Sequence, residues 1–173
     1  MLSDHRLHAI DPGTTQSALV TVSVDGTVTA TTDSNTTILA AVWSLADAPD
    51  AGELVIEQIA SYGMAVGADV FETVFWSGRF AEAWMRRSGT EAHRLPRLAV
   101  KMALCHDSRA KDANIRQALI DRFGGPACIR KGGSLYKVHA DEWAALAVAV
   151  TFHDQHVVGC VDQHEQHECG VRR

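Results

Sequence analysis

The chain has 173 residues, a length that fits one compact domain and excludes a multidomain machine. Hydrophobic residues make up 46% of it and charged residues 21%, with no run of about 18 apolar residues and no signal-peptide pattern at the start. We therefore expect a soluble, cytoplasmic protein without a membrane partner. Its four cysteines form no C-x-x-C pair and are too few for a disulfide scaffold, so reduced thiols are expected.

Charge is distributed unevenly along the chain. The net charge is −5, but the segment from Arg94 to Lys137 holds ten basic residues against three acidic ones. That segment carries +7, so the remainder of the chain carries −12. An acidic body with one basic segment suits a polyanionic partner held at one surface, although a solvated basic helix face would have the same composition.

Hydrophobic patterning predicts three strands and a helix in the first part of the chain. Strands are expected at 6–11, 16–24 and 28–32, with a hairpin at Asp25-Gly26 between the second and the third. The polar cluster 33–36 offers N-cap residues for a helix that ends near Pro49. A fourth strand is expected at 53–59, because its apolar run at 54–56 is typical of a strand covered on both faces.

The second part of the chain predicts helices separated by one more strand. A long helix through 70–85 closes at Gly89, and a fifth strand covers 92–95. A helix at 111–123, a mobile glycine-rich linker at 129–137 and a last helix from 138 to about 156 follow, and the tail lacks periodicity. This order predicts an α/β fold, a mixed central sheet of about five strands with helices on both faces.

Three carboxylates lie at strand ends or at a helix start, where the fold could bring them together. Asp11 ends the first strand, Glu57 ends the fourth, and Asp141 opens the last helix on the face that should pack on the sheet. Carboxylates brought together in a core repel one another and take up protons unless cations neutralise them, so Mg²⁺ or Mn²⁺ is the natural occupant. Two such ions suit phosphodiester hydrolysis, one activating water and the other stabilising the leaving oxygen.

Each of these acids also has a plain structural interpretation. Asp11 could be a turn residue before Pro12-Gly13, Glu57 a solvated strand end, and Asp141 an N-cap. Their combination, in this order along this strand pattern, is more specific than any one of them.

The segments around these acids resemble a known family. Asp11-Pro12-Gly13, Val55-Ile56-Glu57 and residues 141–149 are similar to the three catalytic segments of RuvC-type Holliday junction resolvases, of the ribonuclease H-like superfamily. Residues 108–123 and 142–150 further resemble RuvC-like proteins encoded by phages of actinobacteria. The likeness covers roughly residues 6–155, which makes 1–156 a nuclease domain and leaves 157–173 as a tail.

The resemblance implies a crossover junction endodeoxyribonuclease, a divalent-metal enzyme that cuts branched DNA as a homodimer. It places Asp11, Glu57 and Asp141 at the family's metal-binding positions. The family generally carries a fourth acid one helical turn after the position of Asp141, and here that residue is Ala144. Either Glu142 or His139 substitutes, with Glu142 ranked first because a carboxylate suits Mg²⁺ better, or the site holds one metal less firmly.

The same resemblance gives the basic segment a role, because the helix that begins near Lys111 would flank the active-site cleft. Arg109, Lys111 and Arg116 are the best candidates for phosphate contacts. Lys101 could touch the scissile phosphate or be an ordinary surface lysine.

The tail contains residue types that zinc accepts, at Cys160, His164, His167 and Cys169. This spacing matches no strong zinc-finger pattern. A flexible histidine-rich tail is therefore favoured over a zinc site.

Two other functional classes fit part of the sequence. Residues 11–18 also resemble the first phosphate loop of actin-like sugar kinases, but the chain is short for that class and shows no second phosphate loop. A non-catalytic, structure-specific DNA-binding protein is supported only by Ala144. Metal-dependent nicking of DNA without ATP turnover would select the resolvase over both.

Overall fold

A computed structural model describes residues 6–60, 63 and 65–168, and only the backbone of residues 157–168. Within these ranges the strands are β1 (Leu7–Asp11), β2 (Gln16–Val22), β3 (Val28–Ser34), β4 (Glu53–Gln58) and β5 (His93–Pro96). The helices are α1 (Asn35–Ala46), α2 (Ala68–Ser88), α3 (Arg97–Cys105), α4 (Asp112–Arg122) and α5 (Glu142–Glu168), with a 3₁₀ turn at Gly125–Ala127.

The five strands form one mixed sheet in the order β3-β2-β1-β4-β5. β1, β2 and β3 pair antiparallel as the predicted hairpins, whereas β1, β4 and β5 run parallel. In a parallel arrangement the carboxyl ends of neighbouring strands lie at the same edge of the sheet. The ends of β1 and β4 therefore meet, as the sequence predicted.

Side-chain alternation along the central strands separates two cores. Ala9 and Val55 belong to the core beneath α3, α4 and α5, whereas Ile10 and Ile56 belong to the core beneath α1 and α2. Successive side chains of a strand point to opposite faces, so Asp11 and Glu57 follow on the α5 side. The predicted sheet with helices on both faces is confirmed.

Helix α5 contacts β1, β2 and β4. Ala145 and Ala149 lie one turn apart on one face of the helix and are buried, and such short side chains allow a helix to pack closely. The helix begins at Glu142 rather than near 138, and its backbone continues to Glu168 rather than ending near 156.

The predictions about the tail concern groups that the structure does not describe. The side chains of Cys160, His164 and His167 and the whole of Cys169 lie outside the described residues. The zinc and flexibility hypotheses for residues 157–173 therefore stay predictions.

Two segments differ from the sequence-based expectation. Helix α3 was not predicted, because it is short and follows Pro96 directly. The glycine-rich linker at 129–137 was expected to be mobile, yet Leu135 is fully buried and its N–H donates to the Cys128 carbonyl at 2.9 Å. Gly133 makes this packing possible, since a Cβ there would lie 2.3 Å from the Cys128 carbonyl oxygen.

Among the described helices, none combines the length and the apolar character needed to cross a bilayer. Cys105 and Cys128 are free thiols.

Candidate active site

Two carboxyl groups converge at the carboxyl ends of β1 and β4. Ile10 pairs with Ile56 in the parallel ladder, so Asp11 and Glu57 follow side by side on the α5 face. Glu57 is buried and Asp11 is partly buried. The two carboxyl groups lie close enough that each affects the proton affinity of the other.

The proximity of these acids changes their proton affinity. Burial, and then the charge of Glu57, raise the pKa of Asp11 to about 7. Burial also raises the pKa of Glu57, against the opposing effect of Arg97. Below about pH 7 Asp11 is therefore mainly protonated, and the two acids ionise together more readily when a cation neutralises them.

An arginine and a fourth carboxylate complete the charged cluster. The Arg97 Nη1 group donates to Glu57 Oε2 at 2.9 Å, and its Nη2 group donates to Asp112 Oδ1 at 2.5 Å. Sequence reasoning gave neither Arg97 nor Asp112 a place in the site. The available signal was the position of Arg97 directly after β5, whose carboxyl end lies at the same sheet edge.

The cluster opens into a small cleft of about 110 Å³ between α4 and the start of α5. Its lining consists of Asp11, Arg97, Asp112, Ile115, Ala140, Asp141, Trp143 and Ala144. The charged groups at its base therefore face solvent through an opening with apolar and acidic walls.

Asp141 lies at the rim of this cleft. It precedes the first residue of α5, and its carbonyl accepts the N–H groups of Ala144 and Ala145 at 3.0 and 3.2 Å. The side chain is exposed instead of packing on the sheet as the helical spacing predicted, because Asp141 stands before the helix. It is near enough that its charge contributes to the raised pKa of Asp11.

The backbone just before Asp141 adopts a left-handed conformation. Ala140 has φ of 37°, a value that costs an L-residue about 1 kcal/mol or more. This conformation orients Asp141 at the entrance to α5.

The structure does not bring Glu142 or His139 into the cleft. The buried Glu142 carboxylate accepts the backbone N–H of His139 at 2.7 Å and the Thr32 hydroxyl at 3.4 Å. The His139 side chain is exposed and is absent from the cleft lining, whereas Ala144 is part of it. Glu142 thus acts locally as a cap at the start of α5.

The predicted DNA contacts are spread around this region. Lys111 is exposed and directly precedes Asp112 of the cleft. Arg116 stacks its guanidinium 4.9 Å from the centre of the Trp143 ring, which lines the cleft. Arg109 is almost fully exposed in the loop before α4, and Lys101 is partly buried on α3.

Solved structures provide a comparison for this arrangement. A Thermus thermophilus RuvC structure matches with a TM-score of 0.64 and 18% identity, over 84% of this chain and 92% of that one. The chain has a RuvC-like fold. A structure of T. thermophilus RuvC in complex with a Holliday junction substrate matches with a TM-score of 0.63 and 18% identity, over 85% and 92% of the two chains.

The match confirms the predicted ribonuclease H-like fold. No protein-family model matches the sequence, and no curated protein matches it.

In this RuvC-like fold a buried polar network holds the loop that follows Asp11. The Asn35 amide donates to the carbonyls of Gly13 and Thr14 at 3.0 and 3.1 Å. The Ser17 hydroxyl donates to Asn35 Oδ1 at 2.6 Å and accepts the Gly13 N–H at 3.2 Å. These bonds fix the end of β1, whereas the sequence pattern offered Asn35 only as an N-cap candidate, a role that Ser34 takes, and gave Ser17 no role.

The donor set of the site fits a divalent cation in type. Across the described residues, no three acidic, histidine or cysteine side chains surround one point closely enough to hold a metal. Asp11 and Glu57 nevertheless converge as oxygen donors, and their charges are balanced by a proton and by Arg97. Such a pair, with Asp141 at the rim, offers the ligands that Mg²⁺ and Mn²⁺ prefer.

Proposed function

We propose that the chain is a divalent-metal-dependent endonuclease that cuts branched DNA, a Holliday junction or a related recombination intermediate. The observation that carries this proposal is the buried Asp11–Glu57 pair at adjoining strand ends of a RuvC-like fold. Two buried acids that repel each other reduce stability, so the arrangement favours a chemical role. The similar T. thermophilus RuvC bound to a Holliday junction substrate supports branched DNA as the substrate class.

Asp11, Glu57 and Asp141 would hold Mg²⁺ or Mn²⁺, with two ions per site. Bound there, such ions activate water and stabilise the leaving oxygen of a phosphodiester. The carboxyl pair of Asp11 and Glu57 must be deprotonated before both groups can act as ligands, and Asp112 joins Asp11 and Asp141 as a third carboxylate of the cleft lining. Glu142 and His139 remain outside this set, because Glu142 caps α5.

The basic residues around the cleft would bind the phosphates on either side of the cut. Lys111 and Arg116 flank the opening, and the exposed Arg109 lies in the preceding loop. Lys101 on α3 is a weaker candidate, because it is partly buried. Replacing Arg109, Lys111 and Arg116 together with neutral residues should flatten the plot of log junction affinity against log salt concentration. The slope should change by about 0.9 for each phosphate contact that is lost. An unchanged slope would show that these residues do not contact phosphates and are ordinary solvated surface residues.

The outer face of α2 supports a homodimer. Phe71 and Phe75 are 65% and 57% exposed, and Val74 between them is about half exposed. Beside it, a groove of about 430 Å³ runs between α2 and the end of β4. A contiguous apolar surface of this kind indicates a protein partner. A second copy would supply the second site that two opposite cuts require, and Phe75→Asp should give a monomer in light scattering.

The decisive experiment compares four-way, Y-shaped and linear duplex DNA with Mg²⁺, with Mn²⁺ and with chelator. We expect metal-dependent nicks near the branch point, none in the linear duplex, and no ATP turnover. Such an enzyme would act in the cytoplasm of a bacterium or of a phage-infected host. Junction binding without nicks in either metal would replace this proposal by a non-catalytic DNA-binding function, and ATP turnover would favour a phosphotransferase.

A further inference from the structure

Arg97 lines the cleft and joins an acid inside the protein to an acid at its surface. Its guanidinium spans two environments, because Glu57 is only 7% exposed whereas Asp112 is 83% exposed. Nη1 reaches both Glu57 oxygens, at 2.9 and 3.3 Å, and Nη2 reaches Asp112. The Nη1 side of the guanidinium therefore pairs with the buried Glu57, and the Nη2 side pairs with Asp112 at the protein surface.

Local helix electrostatics do not favour a cation at this position. Arg97 is the first residue of α3, whose first turn contains no acidic residue. A positive charge at a helix N-terminus is unfavourable, because that end of the helix dipole is itself positive. From the start of α3 the Arg97 side chain lines the cleft. The compensation for this placement comes from Glu57 and Asp112.

The contacts of Glu57 limit what else can bind it. Both of its carboxylate oxygens accept hydrogen bonds from Arg97. A divalent cation beside the same oxygens would face the positive guanidinium at close range, and like charges repel more strongly in a partly buried site than in bulk water. Arg97 and a metal ion therefore compete for Glu57.

We propose that Arg97 is the built-in counter-cation of this site. It neutralises Glu57 while no divalent metal is bound, and it leaves Glu57 when a cation arrives, remaining in the cleft on Asp112. The inference rests on the proposed function, because it assumes that the carboxylates bind a divalent cation.

Cation binding without DNA tests this competition. The full chain and its variants are titrated with MnCl₂ and MgCl₂ by calorimetry, and their melting temperatures are followed against cation concentration. The quantity compared is the cation midpoint, the concentration of Mn²⁺ or Mg²⁺ at which half of the protein has bound the cation. Arg97→Gln removes the competing charge and should lower this midpoint about fivefold or more. Asp112→Asn removes the holding point for the displaced guanidinium and one negative charge, so it should raise the midpoint. Arg97→Lys keeps the charge and should stay near the wild-type midpoint.

Arg122→Gln is the matched control. Arg122 makes a similar two-pronged ion pair with Asp154, at 2.6 Å for both bonds, but it lies outside the cleft lining. Its loss should lower the melting temperature without moving the cation midpoint. A purely structural role for Arg97 would give the same result as this control.

The outcomes separate the two proposals. Equal midpoints for wild type and Arg97→Gln, with a clear cation response in both, would overturn the role of Arg97 and leave the nuclease proposal intact. A midpoint that rises in Arg97→Gln would also overturn it. No cation response in the wild type or in any variant would overturn both the metal-dependent function and this inference.

Discussion

Strand β1 carries two ionisable side chains, on opposite faces, that burial affects in different ways. His8 is fully buried, and its ring nitrogens are both paired: Nε2 donates to the Ala51 carbonyl at 2.9 Å, and Nδ1 accepts from the Thr21 hydroxyl at 2.8 Å. Burial lowers the pKa of His8 to about 4, so the ring is neutral. Asp11, three residues later, has a pKa raised to about 7 beside a second buried acid.

The contrast between His8 and Asp11 distinguishes a polar group that stabilises the fold from one that is available for chemistry. The neutral His8 ring has a partner for each nitrogen, so it is satisfied within the protein. Asp11 and Glu57 ionise together at a cost unless a counter-charge is near, and among the described residues Arg97 supplies that charge to Glu57. We therefore expect changes at the two positions to affect stability and activity in opposite ways.

The largest effect should come from the acids. Asp11→Asn, Glu57→Gln and Asp141→Asn should each lower the single-turnover cleavage rate at least about 10²-fold, because each removes a ligand charge with little change of shape. Junction affinity and circular dichroism should stay close to wild type. Full activity in any one variant would remove that residue from the site.

His8→Leu should instead destabilise the protein by about 2–3 kcal/mol, measured by urea unfolding at pH 7.5. The leucine has a similar size but leaves the Ala51 carbonyl and the Thr21 hydroxyl without their partner. Cleavage by the folded fraction should be unchanged. A variant as stable as wild type would show that the ring bonds are not what holds β1.

The stability difference between wild type and His8→Leu should depend on pH. The folded pKa of about 4 lies below the ordinary histidine value of 6.5, so the unfolded state binds the proton first. The contribution of His8 is complete above pH 6.5 and is lost as the pH falls toward 4, by roughly 2–3 kcal/mol. Urea unfolding of both proteins between pH 4.5 and 7.5 measures it, and a constant difference would contradict the assignment.

Asp11→Asn should be more stable than wild type in chelator at pH 8, by about 1–2 kcal/mol after allowance for solvent screening. The folded pKa of about 7 lies above the ordinary aspartate value of 3.8, so ionisation penalises the folded state fully above pH 7. The penalty disappears as the pH falls toward 4, and the two proteins should converge. Saturating Mn²⁺ should make wild type the more stable of the two, because only wild type offers the cation all of the proposed carboxylate ligands.

Glu142→Gln extends the comparison to a buried acid that has its own donors. Its carboxylate accepts the His139 N–H and the Thr32 hydroxyl, so the variant should lose about 1 kcal/mol of stability. Its cation midpoint should match wild type, in contrast to Asp11→Asn. A shifted midpoint with unchanged stability would restore Glu142 to the metal site.

The sequence by itself determined the fold and part of the site. Period-two alternation and the turn at Asp25-Gly26 located the hairpins, and the apolar run before Glu57 marked a central strand. Because the ends of parallel strands meet, these local signals were enough to bring Asp11 and Glu57 together.

The tertiary structure decided the rest of the site, because those residues act through contacts between distant segments. Arg97 meets Glu57 across 40 positions of the chain, and Asn35 reaches Gly13 across 22. The sequence suggested Glu142 as a ligand beside Asp141. Successive residues at a helix start point in different directions, and the Glu142 carboxylate instead accepts the backbone N–H of His139. Ligand chemistry favoured Glu142 over His139 in the sequence analysis, whereas packing placed Asp112 in the cleft.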